Sequence, residues 1–131
     1  MNIHESAEDY LESILMLLEE KGYARSVDIA AHLGVTKPSV SFAMKRLREN
    51  GYIHMGEDNL ITLTEMGSEI ARRTLNRHRT LTSLLEELGV DPTIAEADAC
   101  KIEHDLSDET FAAIQSYMEH CKECRACAEE R

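Results

Sequence analysis

Residues 26–50 read SVDIAAHLGVTKPSVSFAMKRLREN and contain two short helical patterns joined by a glycine turn. Gly34 ends the first pattern, while Thr36 and Pro38 open the second as an N-cap and a first-turn proline. The apolar side chains of the second pattern then recur at helical spacing, as Val40, Met44 and Leu47. Two short helices with a tight glycine-containing turn predict a helix-turn-helix.

The helical spacing of apolar residues ends before residues 52–63, which read YIHMGEDNLITL. Two β-prone runs separated by a polar turn predict a hairpin, and a hairpin directly after the second helix is a wing. Helical patterns surround this module, one ending near residue 21 and three lying between residues 64 and 118. Gly67, in the first turn of the long helix after the wing, is expected to cost little. The sequence therefore predicts a mainly α fold built on a winged helix-turn-helix.

Charge is distributed unevenly along the chain. The 131 residues carry a net charge of −11, yet residues 21–50 hold six basic and two acidic side chains, a net +4. A basic patch of this kind favours double-stranded DNA as the partner. The sequence contains no apolar run of about 18 residues and does not begin like a signal peptide, which predicts a cytoplasmic protein that does not span a membrane.

The candidate DNA contacts lie at the start of the second helix of the motif and on its outer face. Short hydroxyl side chains and basic groups in this position suit contacts with phosphates and base edges in the major groove. The predicted DNA-binding residues are Arg25, Thr36, Lys37, Pro38, Ser39, Ser41, Lys45 and Arg46.

A second group of residues has the spacing of metal ligands. Cys100, Glu103 and His104 stand at i, i+3 and i+4, so that on a helix their side chains share one face. Asp9 and Glu12 repeat the i, i+3 spacing near the N-terminus. Because three residues cannot fill a transition-metal coordination sphere, other helices must contribute. His78 on the long helix is a further candidate, and the full predicted set is Asp9, Glu12, His78, Cys100, Glu103 and His104.

The chemistry of this ligand set restricts the metal. Three carboxylates and two imidazoles suit Mn²⁺ or Fe²⁺, whereas the thiol of Cys100 favours Fe²⁺, Co²⁺ or Zn²⁺. These six ligands could coordinate one or two ions. A DNA-binding module beside such a cluster predicts a transcription regulator that responds to a divalent transition metal, Mn²⁺ or Fe²⁺.

A cysteine cluster near the C-terminus follows the spacing His120-Cys121-x-x-Cys124-x-x-Cys127. Three thiols and an imidazole suit a second metal site, for zinc or part of an iron–sulfur cluster, or a redox-sensitive segment. Apart from these cysteines, we expect residues 119–131 to form a polar, frayed tail.

Several motifs of the chain resemble those of the diphtheria-toxin-repressor family of iron- and manganese-dependent regulators, especially its short manganese-transport-regulator branch. The resemblance covers about residues 6–118. Its most specific pieces are Glu8-Asp9-Tyr10-Leu11-Glu12, Lys21-Gly22-Tyr23-Ala24-Arg25, Asp28-Ile29-Ala30, Pro38-Ser39-Val40, Leu63-Thr64-x-x-Gly67, Arg77-His78 and Cys100-x-x-Glu103-His104.

This resemblance implies a homodimeric repressor of metal-uptake genes, in which metal binding fits two DNA-binding units to an operator. It implies a winged helix-turn-helix domain over residues 1–64, a helical metal-binding and dimerisation domain over 65–118, and a cysteine-containing tail over 119–131. Longer family members append an SH3-like domain, for which this chain is expected to end too early.

Position by position, the ligands combine features of both branches. Asp9 and Glu12 match the acidic pair of the manganese branch, while Cys100 falls where the iron branch has cysteine. Glu96 and Thr82 replace ligands of a second iron-branch site. The resemblance therefore implies a manganese-type paired site with one thiolate substituted, and leaves manganese and iron both open.

Two other functions fit part of the pattern. A winged-helix regulator that senses a small organic molecule would use Cys100, Glu103 and His104 only structurally and would not respond to a chelator. A metallohydrolase would use the same ligands to activate water, but the sequence has no nucleophile motif and no glycine-rich phosphate loop. We therefore expect the protein not to be an enzyme.

Overall fold

The computed structural model describes the backbone of residues 5–129 and the side chains of residues 6–121. As predicted, this part of the chain is mainly α-helical with one small antiparallel sheet. The elements are α1 (Glu5–Lys21), α2 (Ser26–Leu33), α3 (Lys37–Glu49), β1 (Ile53–Met55), β2 (Ile61–Leu63), α4 (Glu65–Glu87), α5 (Pro92–Ile102) and α6 (Asp108–Glu129). The chain forms two compact units. The first ends at Leu75 and the second begins at Asn76, so the boundary between them falls inside α4.

The first unit contains the predicted helix-turn-helix. Gly34 ends α2 in the left-handed conformation, with φ of 67°, which glycine adopts without steric cost. Thr36 caps α3 because its hydroxyl oxygen accepts a hydrogen bond from the Ser39 amide at 3.3 Å. The predicted apolar stripe of α3 is buried against α1 and α2, in a core that includes Leu11, Ile14, Leu17, Ile29, Val40, Met44 and Leu47.

The predicted wing is present as a short hairpin. β1 pairs with β2 in antiparallel register, with Ile53 opposite Leu63 and Met55 opposite Ile61. Ile53 and Ile61 are buried in the core of the first unit, whereas His54 and Thr62 face outward. The alternation fixes the register, because a slip by one residue would expose both isoleucines.

Gly67 has a larger role than the sequence suggested. A Cβ atom at this position would lie 2.0 Å from the carbonyl oxygen of Tyr52, closer than any real contact. Thr64 secures the same junction, since its hydroxyl accepts from the Gly67 amide at 3.1 Å and donates to the Gly51 carbonyl at 2.7 Å. Beyond the small cost of glycine in a helix, the missing side chain allows α4 to start directly against the backbone of Tyr52, the residue before β1.

The second unit comprises the end of α4 together with α5 and α6. Asp91 caps α5 by accepting from the Thr93 amide at 3.1 Å, and α5 ends at Ile102. The expected frayed tail is wrong for the backbone, because α6 continues as a helix to Glu129. The sequence after Asp108 contains no glycine or proline that would end it.

Candidate metal centre and DNA interface

Among the residues of the second unit whose side chains are described, Glu103, at the end of α5, is the most buried acidic residue. Its backbone keeps helical dihedral angles, φ −59° and ψ −28°, and its amide donates to the Ala99 carbonyl at 3.0 Å. The helical turn that begins at Cys100 is therefore continued through Glu103. This geometry places the Glu103 carboxylate inside the protein, with only 1% of the residue exposed.

Two histidines flank this carboxylate. Its Oε2 atom lies 2.9 Å from Nδ1 of His78, which α4 carries, and its Oε1 atom lies 3.3 Å from Nε2 of His104. The second contact lacks hydrogen-bonding geometry, so Oε1 accepts no hydrogen bond from any residue that the structure describes, although it is fully buried. A buried carboxylate oxygen without a donor is costly, and a metal ion is one way to satisfy it.

Cys100 joins the group from one turn earlier on α5. Its sulfur lies within 4.8 Å of a Glu103 carboxylate oxygen, and its side chain is exposed and not in a disulfide. The second unit thus brings together a carboxylate, a thiol and two imidazoles from the predicted ligand set. These donor types fit a divalent transition metal.

The other two predicted ligands belong to the first unit. Asp9 and Glu12 lie one turn apart on α1, with Glu12 buried and Asp9 half-buried. Their helix contacts α4 within the same unit, where the Thr74 hydroxyl donates to Oε2 of Glu8 at 3.5 Å. Two acidic side chains with restricted access to water are an arrangement that favours a cation.

The predicted DNA-binding residues are all exposed on the first unit. Thr36 is partly committed to the fold, because its hydroxyl donates to Ser39 Oγ at 2.8 Å and caps α3. The basic groups Lys37, Lys45 and Arg46 project from a helix that has no acidic residue before Glu49. The exposed side chains of this helix therefore carry a net positive charge.

Phe42 is an outward-facing residue of α3 that the sequence analysis missed. The residue is 64% exposed, and the guanidinium carbon of Arg46 lies 5.8 Å from its ring centroid. Its position was available from the helical pattern, since it falls on the face opposite Val40, Met44 and Leu47. An aromatic ring on this face adds apolar contact area to the charged surface.

Two family models match the chain and together cover most of it. The DNA-binding domain of iron-dependent repressors matches residues 2–59, and the metal-binding and dimerisation domain of the same proteins matches residues 64–130. The chain belongs to the iron-dependent repressor family. It is therefore a metal-dependent, DNA-binding transcriptional regulator that dimerises through its helical domain.

Similar proteins of this family include transcriptional regulators named MntR. The transcriptional regulator MntR of Escherichia coli O6:H1 is 40% identical over 115 residues, which cover 88% of this chain and 74% of the relative. The regulator MntR of Bacillus subtilis is 37% identical over 118 residues, covering 90% of this chain and 83% of that protein.

Solved structures of the family share the fold. The IdeR protein of T. acidophilum matches with a TM-score of 0.78 and 30% identity over 91% of this chain, and 55% of that protein is covered. A manganese-dependent repressor in complex with manganese gives the same TM-score and identity over 86% of this chain and 52% of its own. This chain thus spans about half the length of these two structures.

Family membership bears on the remaining predictions. The match to a metal-binding domain gives no support to the alternative function, a regulator that senses a small organic molecule.

Two further predictions concern the membrane and the cysteine cluster. Within residues 5–129, no helix is long and apolar enough to cross a membrane. Cys121 is a half-buried free thiol on α6, whereas the side chains of Cys124 and Cys127 lie outside the described residues.

Proposed function

We propose that this regulator binds Mn²⁺ or Fe²⁺ through Asp9, Glu12, His78, Cys100, Glu103 and His104, and then represses genes for uptake of that metal. The observation that carries the proposal is the buried Glu103 carboxylate, which lies between two imidazoles and has one oxygen without a hydrogen-bond donor. Retaining such a group is costly unless it has a ligand to bind.

The contact between α1 and α4 supports the participation of Asp9 and Glu12. Glu8 reaches Thr74 on α4, and His78 follows Thr74 by one turn on the same helical face. Glu12 likewise follows Glu8 by one turn of α1. Within the first unit, the acidic face of α1 therefore contacts α4 at Thr74, one helical turn before His78 in the sequence.

The donor set supports the choice of metal. Carboxylate oxygens and imidazole nitrogens suit Mn²⁺ and Fe²⁺, and one thiolate increases the preference for Fe²⁺. The manganese-dependent repressor in complex with manganese favours Mn²⁺, while the description of the family as iron-dependent repressors favours Fe²⁺.

Regulation would follow from the charges of the ligands. Asp9, Glu12 and Glu103 repel one another as carboxylates, which opposes a fixed position of α1. A bound divalent cation supplies the positive charge that converts this repulsion into attraction. Fixing α1 would fix the winged helix-turn-helix built on it, and the population competent to bind DNA would rise with the apparent affinity.

DNA would be bound by the exposed face of α3 and its surroundings. We assign this role to residues 1–64 and the metal-binding and dimerisation role to residues 65–118. The contacting residues would be Arg25, Thr36, Lys37, Pro38, Ser39, Ser41, Lys45 and Arg46, joined by Phe42. The proposal assigns no catalytic activity, and it places the protein in the cytoplasm, where it would meet chromosomal DNA.

Anaerobic equilibrium titration with Mn²⁺ and Fe²⁺ tests the proposed site. Wild type should bind one or two ions per protomer, Glu103→Gln should lose this binding, and Asp9→Asn should weaken it. Asp98→Asn is the matched control, because Asp98 is an exposed carboxylate on α5, two residues before Cys100 and therefore on the opposite face of the helix. Equal binding by wild type and Glu103→Gln would contradict the proposal.

A further inference from the structure

A buried arginine precedes His78 on α4 and contacts the turn that carries the ligands. Arg77 is 8% exposed, and its Nη1 atom donates to the carbonyl oxygens of Glu103 at 3.1 Å and of Leu106 at 2.8 Å. These two carbonyls lie on either side of His104 in the sequence. One guanidinium nitrogen therefore holds both ends of the segment that contains Glu103 and His104.

The remaining contacts of Arg77 orient its guanidinium group. Nη2 forms a hydrogen-bonded ion pair with Asp108 at the start of α6, and the guanidinium carbon lies 5.2 Å from the ring centroid of Phe111. The planar fork of arginine can make such contacts simultaneously in one fixed orientation. A lysine would offer a charge here without this geometry.

Consecutive residues of α4 thus hold Glu103 at two points. Arg77 binds its backbone carbonyl, and His78 contacts its carboxylate at 2.9 Å. The His78 contact uses side-chain groups that the proposed site assigns to a metal ion, so ion binding would act on it directly. The Arg77 contact uses none of them and is compatible with both states.

We infer that Arg77 is a positioning residue of the metal site, which holds the 103–106 turn in a ligand-binding arrangement before the ion arrives. The inference rests on the proposed function. Residues that orient the ligands of a metal without touching the metal themselves commonly contribute about 10- to 100-fold to metal affinity. Such a residue lowers the cost of ordering the ligands at the moment of binding.

Titration of Arg77 variants with Mn²⁺ tests this role, alongside thermal unfolding of the metal-free proteins. Arg77→Met should weaken Mn²⁺ binding by about 10- to 100-fold, and Arg77→Lys should recover part of the loss. DNA binding by both variants should return to the wild-type level once enough Mn²⁺ is added. Arg72→Met, which removes an exposed arginine from the same helix, should bind Mn²⁺ like wild type.

Each outcome decides between defined alternatives. Arg77→Met with lower thermal stability and wild-type Mn²⁺ affinity would show a purely structural residue and overturn the inference alone. If Arg77→Met does not fold, Arg77→Lys decides in its place, and wild-type affinity in that variant would overturn the inference. If wild type itself binds no Mn²⁺ or Fe²⁺, the proposed function fails and the inference with it.

Discussion

The outer face of α3 and the turn after α5 present their proposed binding groups in opposite ways. The α3 face keeps its cationic and polar groups exposed, and its one internal hydrogen-bond pair, between Thr36 and Ser39, stabilises the helix start. The turn buries Glu103 and surrounds it with contacts from His78, His104 and Arg77. Changes on the exposed face should be small and additive, whereas changes in the buried turn should be large and interdependent.

The largest expected effect follows replacement of Glu103 with glutamine. Mn²⁺ affinity should fall by at least about 100-fold, because the variant loses a charged ligand. The metal-free variant should be as stable as wild type or more so, since the neutral amide removes a buried charge whose Oε1 lacks a donor. Isothermal titration and thermal unfolding in chelator would measure the two quantities. A large loss of metal-free stability would show that Glu103 is mainly structural.

Replacement of Gly67 with alanine separates folding from binding. The added Cβ would meet the Tyr52 carbonyl at 2.0 Å, which we expect to cost about 1–3 kcal/mol of unfolding free energy. Chemical denaturation would measure the loss, with Gly56→Ala as control because the nearest atom there is 3.7 Å away. Equal stability of the two variants would show that the wing junction relaxes more easily than its contacts suggest.

Variants of Thr36 test whether a proposed DNA-contacting residue also stabilises the fold. Thr36→Ala should lower the unfolding free energy by about 1 kcal/mol, because the amide of Ser39 loses its cap, and Thr36→Ser should restore it. Both proteins can be compared by urea denaturation. If Thr36→Ala binds DNA as tightly as wild type under native conditions, the residue acts only as a cap.

The smallest expected effect concerns a single exposed charge. Arg46→Gln should weaken DNA binding several-fold and reduce the slope of log affinity against log salt by about 0.9, as for the loss of one phosphate contact. Mn²⁺ affinity should not change. Fluorescence anisotropy across a salt series would give the slope, and an unchanged slope would remove Arg46 from the phosphate contacts.

Sequence reasoning succeeded where structure depends on nearby residues. The cap at Thr36 and the two β-prone runs of the wing predicted their elements to within a few residues. These signals are local, because a cap or a strand face involves positions only a few residues apart.

The missed features depend on residues distant in the chain. Arg77 contacts residues 26 and 29 positions away, and the need for glycine at position 67 arises from Tyr52. The pairing of His78 with Glu103 was predicted only as shared membership of a ligand set. The spacing of residues in the sequence does not reveal which backbone carbonyls a buried arginine will contact.

Metal-dependent DNA binding is the most direct test of the whole account. Duplexes would be selected from a random pool twice, once with Mn²⁺ and once in chelator, and their binding to wild type and Glu103→Gln measured by anaerobic anisotropy. We predict tight binding by wild type only with Mn²⁺ or Fe²⁺, and weak binding by Glu103→Gln in every condition. Wild-type affinity that is the same with metal and with chelator would contradict the account.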